Sequence, residues 1–250
     1  MRRQRRRRRV SARKRPTFCE LNENDQGHLV CYLPPGELNP GGRSGVIAGP
    51  LGEWIVSRDY EFCMRIKRET GFSIYSPEYD ITSHWVPEKR RGVPVPWIRR
   101  VYRFAESKKR RFIHLVGFSG GAAVASSQLV DYPDDSVQTL VVISGPVAEG
   151  GPHTDAAAYA DKIKVRTLLI YGKQDGYNHG VGKWTEKARE ANVKVDNLYY
   201  EGGHDFGRSG DPSFEQVTKK VMAWLASTYQ DIGALKLRRR RKRGRKRKRS

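Results

Sequence analysis

Residues 112–125 read FIHLVGFSGGAAVA, a stretch in which three kinds of local structure are expected to follow one another. The largely apolar run 112–116 is typical of a buried strand, and the alanine-rich end of the stretch is typical of a helix. Between them lies GFSGG, residues 117–121, whose small residues let the chain bend tightly around Ser119. Such a turn exposes a serine hydroxyl, which becomes a good nucleophile once a base takes its proton. The stretch therefore predicts a strand, a sharp turn that carries Ser119, and a helix.

A carboxylate and an imidazole each follow a later apolar stretch. Residues 165–172 read VRTLLIYG and predict a buried strand, and Asp175 comes just past its end. Residues 195–200 read VDNLYY and predict another strand, which His204 follows in a glycine-containing loop. Side chains that follow the carboxyl ends of parallel strands meet at one edge of a sheet. We therefore expect Ser119, Asp175 and His204 to lie close together.

On these three motifs the sequence resembles the α/β-hydrolase superfamily, and within it the serine esterases, lipases and thioesterases. The resemblance extends over about residues 27–228. It implies that Ser119 is the nucleophile and that His204 acts first as general base and then as general acid. It also implies that Asp175 orients the imidazole and stabilises its charged form.

The identity of the acid has an alternative. Glu149 follows the apolar run 140–144, at a point where some members of the superfamily carry their carboxylate. Asp175 is the favoured residue, because residues 172–176 form the more typical acid turn of the two.

Acyl transfer also needs backbone amides aimed at the developing oxyanion. The resemblance assigns one of them to Gly120, directly after the nucleophile. The second donor in this superfamily normally comes from the loop after the third strand. Here that loop begins LPPGEL, residues 33–38, and proline has no amide hydrogen to donate. The remaining candidates for the second donor are therefore Gly36, Glu37 and Leu38.

The alternation of apolar strands and amphipathic helices predicts an α/β fold of the α/β-hydrolase type. We expect a mostly parallel sheet of about six strands, with helices on both faces. Residues 28–33 form the first convincing strand, the Pro- and Gly-rich residues 34–50 read as loop, and a helix covers about 53–69. A final amphipathic helix begins near Asp211. Residues 17–26 are too few for the two extra strands usual in the superfamily.

The charge of this chain lies at its two ends. Residues 1–16 contain ten Arg or Lys residues, residues 236–250 contain twelve, and neither segment has an acid. Since the formal net charge of the whole chain is +21, residues 17–235 carry a net charge of −1. We expect a single α/β-hydrolase domain over residues 17–235, flanked by two tails that self-repulsion keeps disordered.

The expected partners of these tails are polyanions, above all nucleic acid and otherwise anionic lipid or an acidic protein. Neither residues 1–16 nor residues 236–250 contain an aromatic residue, so base stacking is not indicated. The cluster RRRRKR at residues 238–243 also resembles a nuclear localisation patch. Binding is therefore predicted to be non-specific, electrostatic and lost at high salt.

Several classes of protein are disfavoured by the sequence. No apolar run of about 18 residues predicts a membrane span, and no apolar segment follows the basic N-terminus as in a secretion signal. Cys19, Cys31 and Cys63 are odd in number and widely spaced, which suits a reducing compartment and indicates neither disulfides nor a metal site. We expect an intracellular, cytoplasmic protein, or a nuclear one in a eukaryote. The histidine spacing and glycine-rich stretches predict neither a metal nor a nucleotide cofactor.

The predicted function is that of a cofactor-independent serine hydrolase that cleaves a small carboxylic ester or thioester through an acyl-enzyme. Amide or peptide cleavage would use the same residues. The interval 145–164 is too short for a helical cap domain, and Phe118, His84 and Trp85 are the candidate pocket walls. The alternative function is that of a non-catalytic, nucleic-acid-associated protein of ribosomal or chromatin type, anchored by its tails on the same fold.

Overall fold

The structure is a computed structural model. It describes residues 20–23, 29–33, 44–48, 58–77, 112–131, 135–145 and 160–228. The two basic segments, residues 1–16 and 236–250, lie outside the described residues, so the expectation that they are disordered tails stays a prediction.

Within the described ranges, eight strands form one sheet, in the order β1-β2-β4-β3-β5-β6-β7-β8. The strands are β1 (Glu20–Glu23), β2 (Leu29–Leu33), β3 (Ser44–Ala48), β4 (Ser73–Pro77), β5 (Phe112–Phe118), β6 (Val137–Ile143), β7 (Arg166–Gly172) and β8 (Val195–Tyr200). All pairings from β4 to β8 are parallel, whereas β2 pairs antiparallel with both β1 and β4. The parallel strands therefore place their carboxyl ends along one edge.

Four α-helices connect or follow the strands among the described residues. They are α1 (Arg58–Thr70), α2 (Gly120–Asp131), α3 (Val181–Glu190) and α4, which covers residues 212–228. A short 3₁₀ helix, Asn178–Gly180, precedes α3. The predicted fold class, a mostly parallel sheet with helices on its faces, is confirmed.

The sheet is larger than the sequence predicted, with eight strands instead of about six. One added strand, β3, lies inside the segment 34–50 that was expected to be loop, and the other, β1, lies inside residues 17–26. β3 was missed because its five residues, SGVIA, lie within a Pro- and Gly-rich segment, and β1 was missed because its four residues, ELNE, include a single apolar side chain. A short strand suffices at each place, since β1 only extends the antiparallel edge beside β2 and β3 is hydrogen-bonded on both sides by β4 and β5.

The core lies in two layers, one on each face of the sheet. In β6, Leu140 and Val142 belong to the layer that contains α2 and α3, whereas Val141 and Ile143 belong to the layer that contains α1 and α4. This alternation follows from the two-residue period of a strand. Because both faces are covered, the central strands read as nearly continuous apolar runs, and polar loops are left at the strand ends.

One buried polar residue interrupts the apolar run of β5. The ring of His114 is fully buried and stacks on Phe72 with centroids 5.1 Å apart, and its Nδ1 lies 3.2 Å from Thr139 Oγ1. Burial, with a smaller contribution from the charge of Arg166, lowers the pKa of His114 to about 3. The imidazole is therefore neutral in the folded protein at neutral pH.

Candidate active site

The turn between β5 and α2 holds Ser119 in a strained conformation. Its φ is 50°, in the left-handed region that residues other than glycine rarely adopt. The Ser119 amide donates to the carbonyl of Ile143 at 2.8 Å, and its carbonyl accepts from the amide of Ala122 at 3.0 Å. A Cβ at Gly117 would lie 2.5 Å from the Cα of Ala122, so glycine is required where the helix passes close over the strand end. Such strain is typical of functional residues.

The structure brings Ser119, His204 and Asp175 together at the carboxyl edge of the sheet. The Nε2 atom of His204 lies 2.9 Å from Ser119 Oγ, and its Nδ1 atom lies 3.3 Å from Asp175 Oδ1. Both ring nitrogens of His204 are paired when Nδ1–H donates to the carboxylate and Nε2 accepts from the serine hydroxyl. The second contact is longer than a typical charge-assisted hydrogen bond, as is common before substrate binds.

The carboxylate of Asp175 is almost completely buried, with 1% of its side chain exposed. Its Oδ1 also accepts from the backbone amide of Tyr177 at 3.0 Å, and the Asp175 amide donates to the carbonyl of Gly172 at 3.0 Å. Its Oδ2 has no hydrogen-bond partner among the described residues. The turn after β7 therefore aims one particular oxygen of this carboxylate at the imidazole.

Two aromatic rings flank the imidazole of His204. The ring centroid of Phe118 lies 5.3 Å from that of His204, and the ring centroid of Tyr177 lies 5.5 Å from it. The imidazole side chain keeps 41% of its surface exposed. Phe118 was a candidate pocket residue from the sequence, but Tyr177 was not. The available signal was its position, two residues after Asp175 in the acid turn.

The acid turn and the histidine loop are held together by their backbones. The amide of Lys173 donates to the carbonyl of Tyr200 at 2.9 Å, and the amide of Gln174 donates to the carbonyl of Gly202 at 2.9 Å. These bonds continue the pairing of β7 with β8 beyond the ends of both strands. The sheet pairing therefore extends into the acid turn and into the first residues of the histidine loop, as far as Gly202.

The sequence profile of the Serine hydrolase (FSH1) family matches residues 84–209, half of the chain. The matched region contains Ser119, Asp175 and His204. The chain belongs to this serine hydrolase family. No curated protein sequence matches it.

Solved structures similar to this serine hydrolase share its fold at low sequence identity. An esterase from Rhizomucor miehei has a TM-score of 0.62 and 13% identity, with 88% of this chain and 85% of that chain covered. A predicted CIB-like hydrolase from Thermoplasma acidophilum has a TM-score of 0.57 and 16% identity, with 83% and 98% covered. The thioesterase domain of the curacin biosynthetic pathway has a TM-score of 0.54 and 12% identity, with 83% and 98% covered. At these identities the likeness shows the α/β-hydrolase fold.

The remaining predicted site residues of the serine hydrolase divide into two groups. Gly120 is the first residue of α2, directly after Ser119, where the sequence predicted one oxyanion donor. The second group lies outside the described residues and comprises the donor candidates Gly36, Glu37 and Leu38, the alternative acid Glu149, and the pocket candidates His84 and Trp85. Within the described part of the hydrolase, no cluster of three or more metal-ligating side chains occurs. None of its described helices is both long and apolar enough to cross a membrane.

Proposed function

We propose that this serine hydrolase cleaves a carboxylic ester or thioester of a small acyl substrate through an acyl-enzyme on Ser119. The observation that carries the proposal is the contact of 2.9 Å between His204 Nε2 and the Oγ of Ser119, made on a strained strand-to-helix turn. A base within hydrogen-bond reach is what converts a serine hydroxyl into a nucleophile. Neighbours of similar fold are named esterase, thioesterase and puromycin-hydrolyzing peptidase, so the choice of esters and thioesters over amides is part of the proposal.

In the first half of the reaction, His204 takes the proton of Ser119 while Oγ attacks the substrate carbonyl carbon. The carbonyl oxygen becomes an oxyanion, which the amide of Gly120 stabilises. The imidazolium of His204 then gives its proton to the leaving alcohol or thiol as the carbonyl carbon breaks its bond to that group. The acyl group remains on Ser119 as an ester.

In the second half of the reaction, water replaces the leaving group. His204 takes a proton from the water as its oxygen attacks the acyl carbon, and the same proton returns to Ser119 Oγ when the acyl–enzyme bond breaks. The carboxylic acid leaves and the enzyme is restored. Asp175 stays ionised throughout, fixes the tautomer of His204 and stabilises its charged form. The rings of Phe118 and Tyr177 pack beside the imidazole and restrict its orientation.

The test is labelling by a fluorophosphonate probe, together with hydrolysis of p-nitrophenyl butyrate. Wild-type protein is compared with Ser119→Ala and with Ser227→Ala, a serine in α4 whose hydroxyl bonds Arg166 at the opposite edge of the sheet. Labelling and hydrolysis should disappear in Ser119→Ala only. Absence of labelling in folded wild-type protein would overturn the proposal and favour the non-catalytic alternative.

We further propose that the basic segments, residues 1–16 and 236–250, bind the backbone of nucleic acid or another polyanion. The observation that favours this second function is the separation of charge, with 22 basic residues and no acid in the two segments. Phosphate contacts of this kind supply affinity without sequence readout. This binding is compatible with hydrolysis, because the nearly neutral middle of the chain carries the active-site residues.

A further inference from the structure

The hydroxyl group of Tyr200 connects the residue after β6 with the loop after β8. It is the last residue of β8, and its side chain is fully buried. The hydroxyl oxygen lies 2.9 Å from the carbonyl oxygen of Gly203 and 3.1 Å from that of His204. It also lies 2.9 Å from the Oγ of Ser144, directly after β6. The phenol is thus in contact with the backbone of the proposed catalytic histidine.

The chemistry of the donors and acceptors determines which way each of these hydrogen bonds runs. The phenol of Tyr200 has a single proton. Because the carbonyls of Gly203 and His204 can only accept, that proton is shared between them in a bifurcated hydrogen bond. Ser144 therefore donates its own proton to the phenol oxygen. Ser144 is itself fixed, because it is fully buried, has a φ of 47°, and donates its amide to the carbonyl of Ile170 at 2.8 Å. The hydrogen bonds run from Ser144 through Tyr200 to the histidine loop.

The histidine loop needs such an anchor because its own sequence restrains it weakly. Two glycines precede His204, and Gly202 has a φ of 128°. Glycine has the widest conformational freedom of any residue, so this backbone could adopt many directions. The peptide that carries the His204 carbonyl also sets the direction of the imidazole. Displacement of a catalytic group by about 1 Å can reduce a rate by about 10²-fold.

We propose that Tyr200 is a positioning residue, and that its hydroxyl, oriented by Ser144, holds the His204 backbone so that the imidazole reaches both Ser119 and Asp175. The inference rests on the proposed function, since it assigns His204 as the base. It goes beyond that function because neither Tyr200 nor Ser144 contacts the reacting atoms.

The decisive variant is Tyr200→Phe, which removes the hydroxyl and keeps the ring in contact with Phe206, whose centroid is 6.4 Å away. The expected result is a fall of about 10- to 100-fold in kcat for p-nitrophenyl butyrate, with KM changed by less than about twofold. Ser144→Ala should lower kcat in the same direction and less. The double variant should be no slower than Tyr200→Phe alone, because both changes break one chain of hydrogen bonds.

Two control variants separate positioning from general destabilisation. Thr218→Val removes another buried hydroxyl, whose bond to the Phe214 carbonyl lies within α4, and Tyr199→Phe makes the same chemical change on the exposed neighbouring residue. Both controls should keep the wild-type kcat, although Thr218→Val should lower the melting temperature. The proposal is overturned if folded Tyr200→Phe keeps the wild-type kcat, or if Thr218→Val loses as much activity at an equal loss of stability.

A second measurement does not depend on catalysis. The Nδ1 proton of His204, shared with Asp175, should give a low-field proton resonance in the wild-type protein that is lost in Tyr200→Phe and retained in Thr218→Val. If wild-type protein fails to label with fluorophosphonate but shows this difference, the proposed function fails and the positioning role stands. If the resonance is unchanged in Tyr200→Phe, the positioning role fails whatever the activity.

Discussion

Gly172 and Gly203 are in direct backbone contact across the ends of β7 and β8. A Cβ atom added to Gly172 would lie 2.0 Å from the carbonyl oxygen of Gly203, far inside van der Waals contact. Because that obstacle is backbone, it cannot turn away as a flexible side chain would. The same carbonyl accepts a hydrogen bond from the Tyr200 hydroxyl, so it is fixed by Tyr200 while it packs against Gly172. Position 172 thus sets how closely the histidine loop approaches the acid turn.

The first prediction concerns Gly172→Ala. The added methyl group should push the backbone before His204 away from Asp175 and reduce kcat by about 10²-fold, the effect of a misplacement near 1 Å. The measurement is hydrolysis of p-nitrophenyl butyrate together with the melting temperature. Gly182→Ala is the matched control, because a Cβ at that helical position meets nothing within 4 Å. Equal activity in the two variants would contradict the prediction.

The second prediction identifies the acid. In Asp175→Asn, the amide oxygen can still accept from both His204 and the Tyr177 amide, so the change removes mainly the charge. Loss of that charge should reduce kcat by about 10²- to 10⁴-fold, because the imidazolium formed during proton transfer is no longer stabilised. Glu149→Gln should have little effect on kcat. A larger loss in Glu149→Gln than in Asp175→Asn would transfer the role to Glu149.

The third prediction concerns the basic segments, residues 1–16 and 236–250. Binding of the full chain to a fluorescent DNA duplex, followed by anisotropy, should weaken by about 10³-fold or more between 50 and 200 mM salt if six or more phosphates are contacted. Two duplexes of unrelated sequence should bind equally well. A chain with Gln in place of every Arg and Lys of the two segments should lose binding and keep its hydrolytic rate. Salt-independent binding, or binding retained by the Gln chain, would refute the proposal.

The sequence carried the information for features that depend on local order along the chain. Ser119 and Asp175 each follow an apolar run, and His204 follows the stretch VDNLYY, and all three stretches are recognised as strands. Parallel strands then bring such loops to one edge without further assumptions. β1 and β3 lacked this signal, since β1 has one apolar residue and β3 lies among prolines and glycines, and both are stabilised by pairing with neighbouring strands.

The contacts that depend on side-chain direction were not available from the sequence. Ser144 and Tyr200 are 56 residues apart, and their contact requires the pairing register of three strands and a positive φ at Ser144. Tyr177 contacts His204 only because the acid turn folds back through its own amide hydrogen bond to Asp175. These relationships arise from packing across the sheet, for which neither composition nor spacing gives a local signal.

The fourth prediction uses the buried imidazole of His114. Its pKa is about 3 in the folded protein, below the ordinary value of 6.5 that applies to the unfolded chain. As the pH falls below 6.5, His114 binds a proton in the unfolded chain, whereas in the folded protein it binds that proton only near pH 3. Acidification should therefore favour unfolding. The contribution is absent above the unfolded pKa and grows by up to about 1.4 kcal/mol per pH unit below it.

Urea unfolding at pH 7 and pH 5 should therefore show that the wild-type protein loses about 2 kcal/mol more stability than His114→Phe over this interval. Phenylalanine keeps a ring stacked on Phe72 and removes the titrating group. Carboxylates elsewhere titrate alike in both proteins, so the difference between their losses of unfolding free energy from pH 7 to pH 5 isolates the effect of position 114. If the unfolding free energies of the two proteins changed equally with pH, the buried imidazole would have to accept its proton in the folded state. The Nε2 atom of His114 has no hydrogen-bond partner among the described residues that would stabilise that proton.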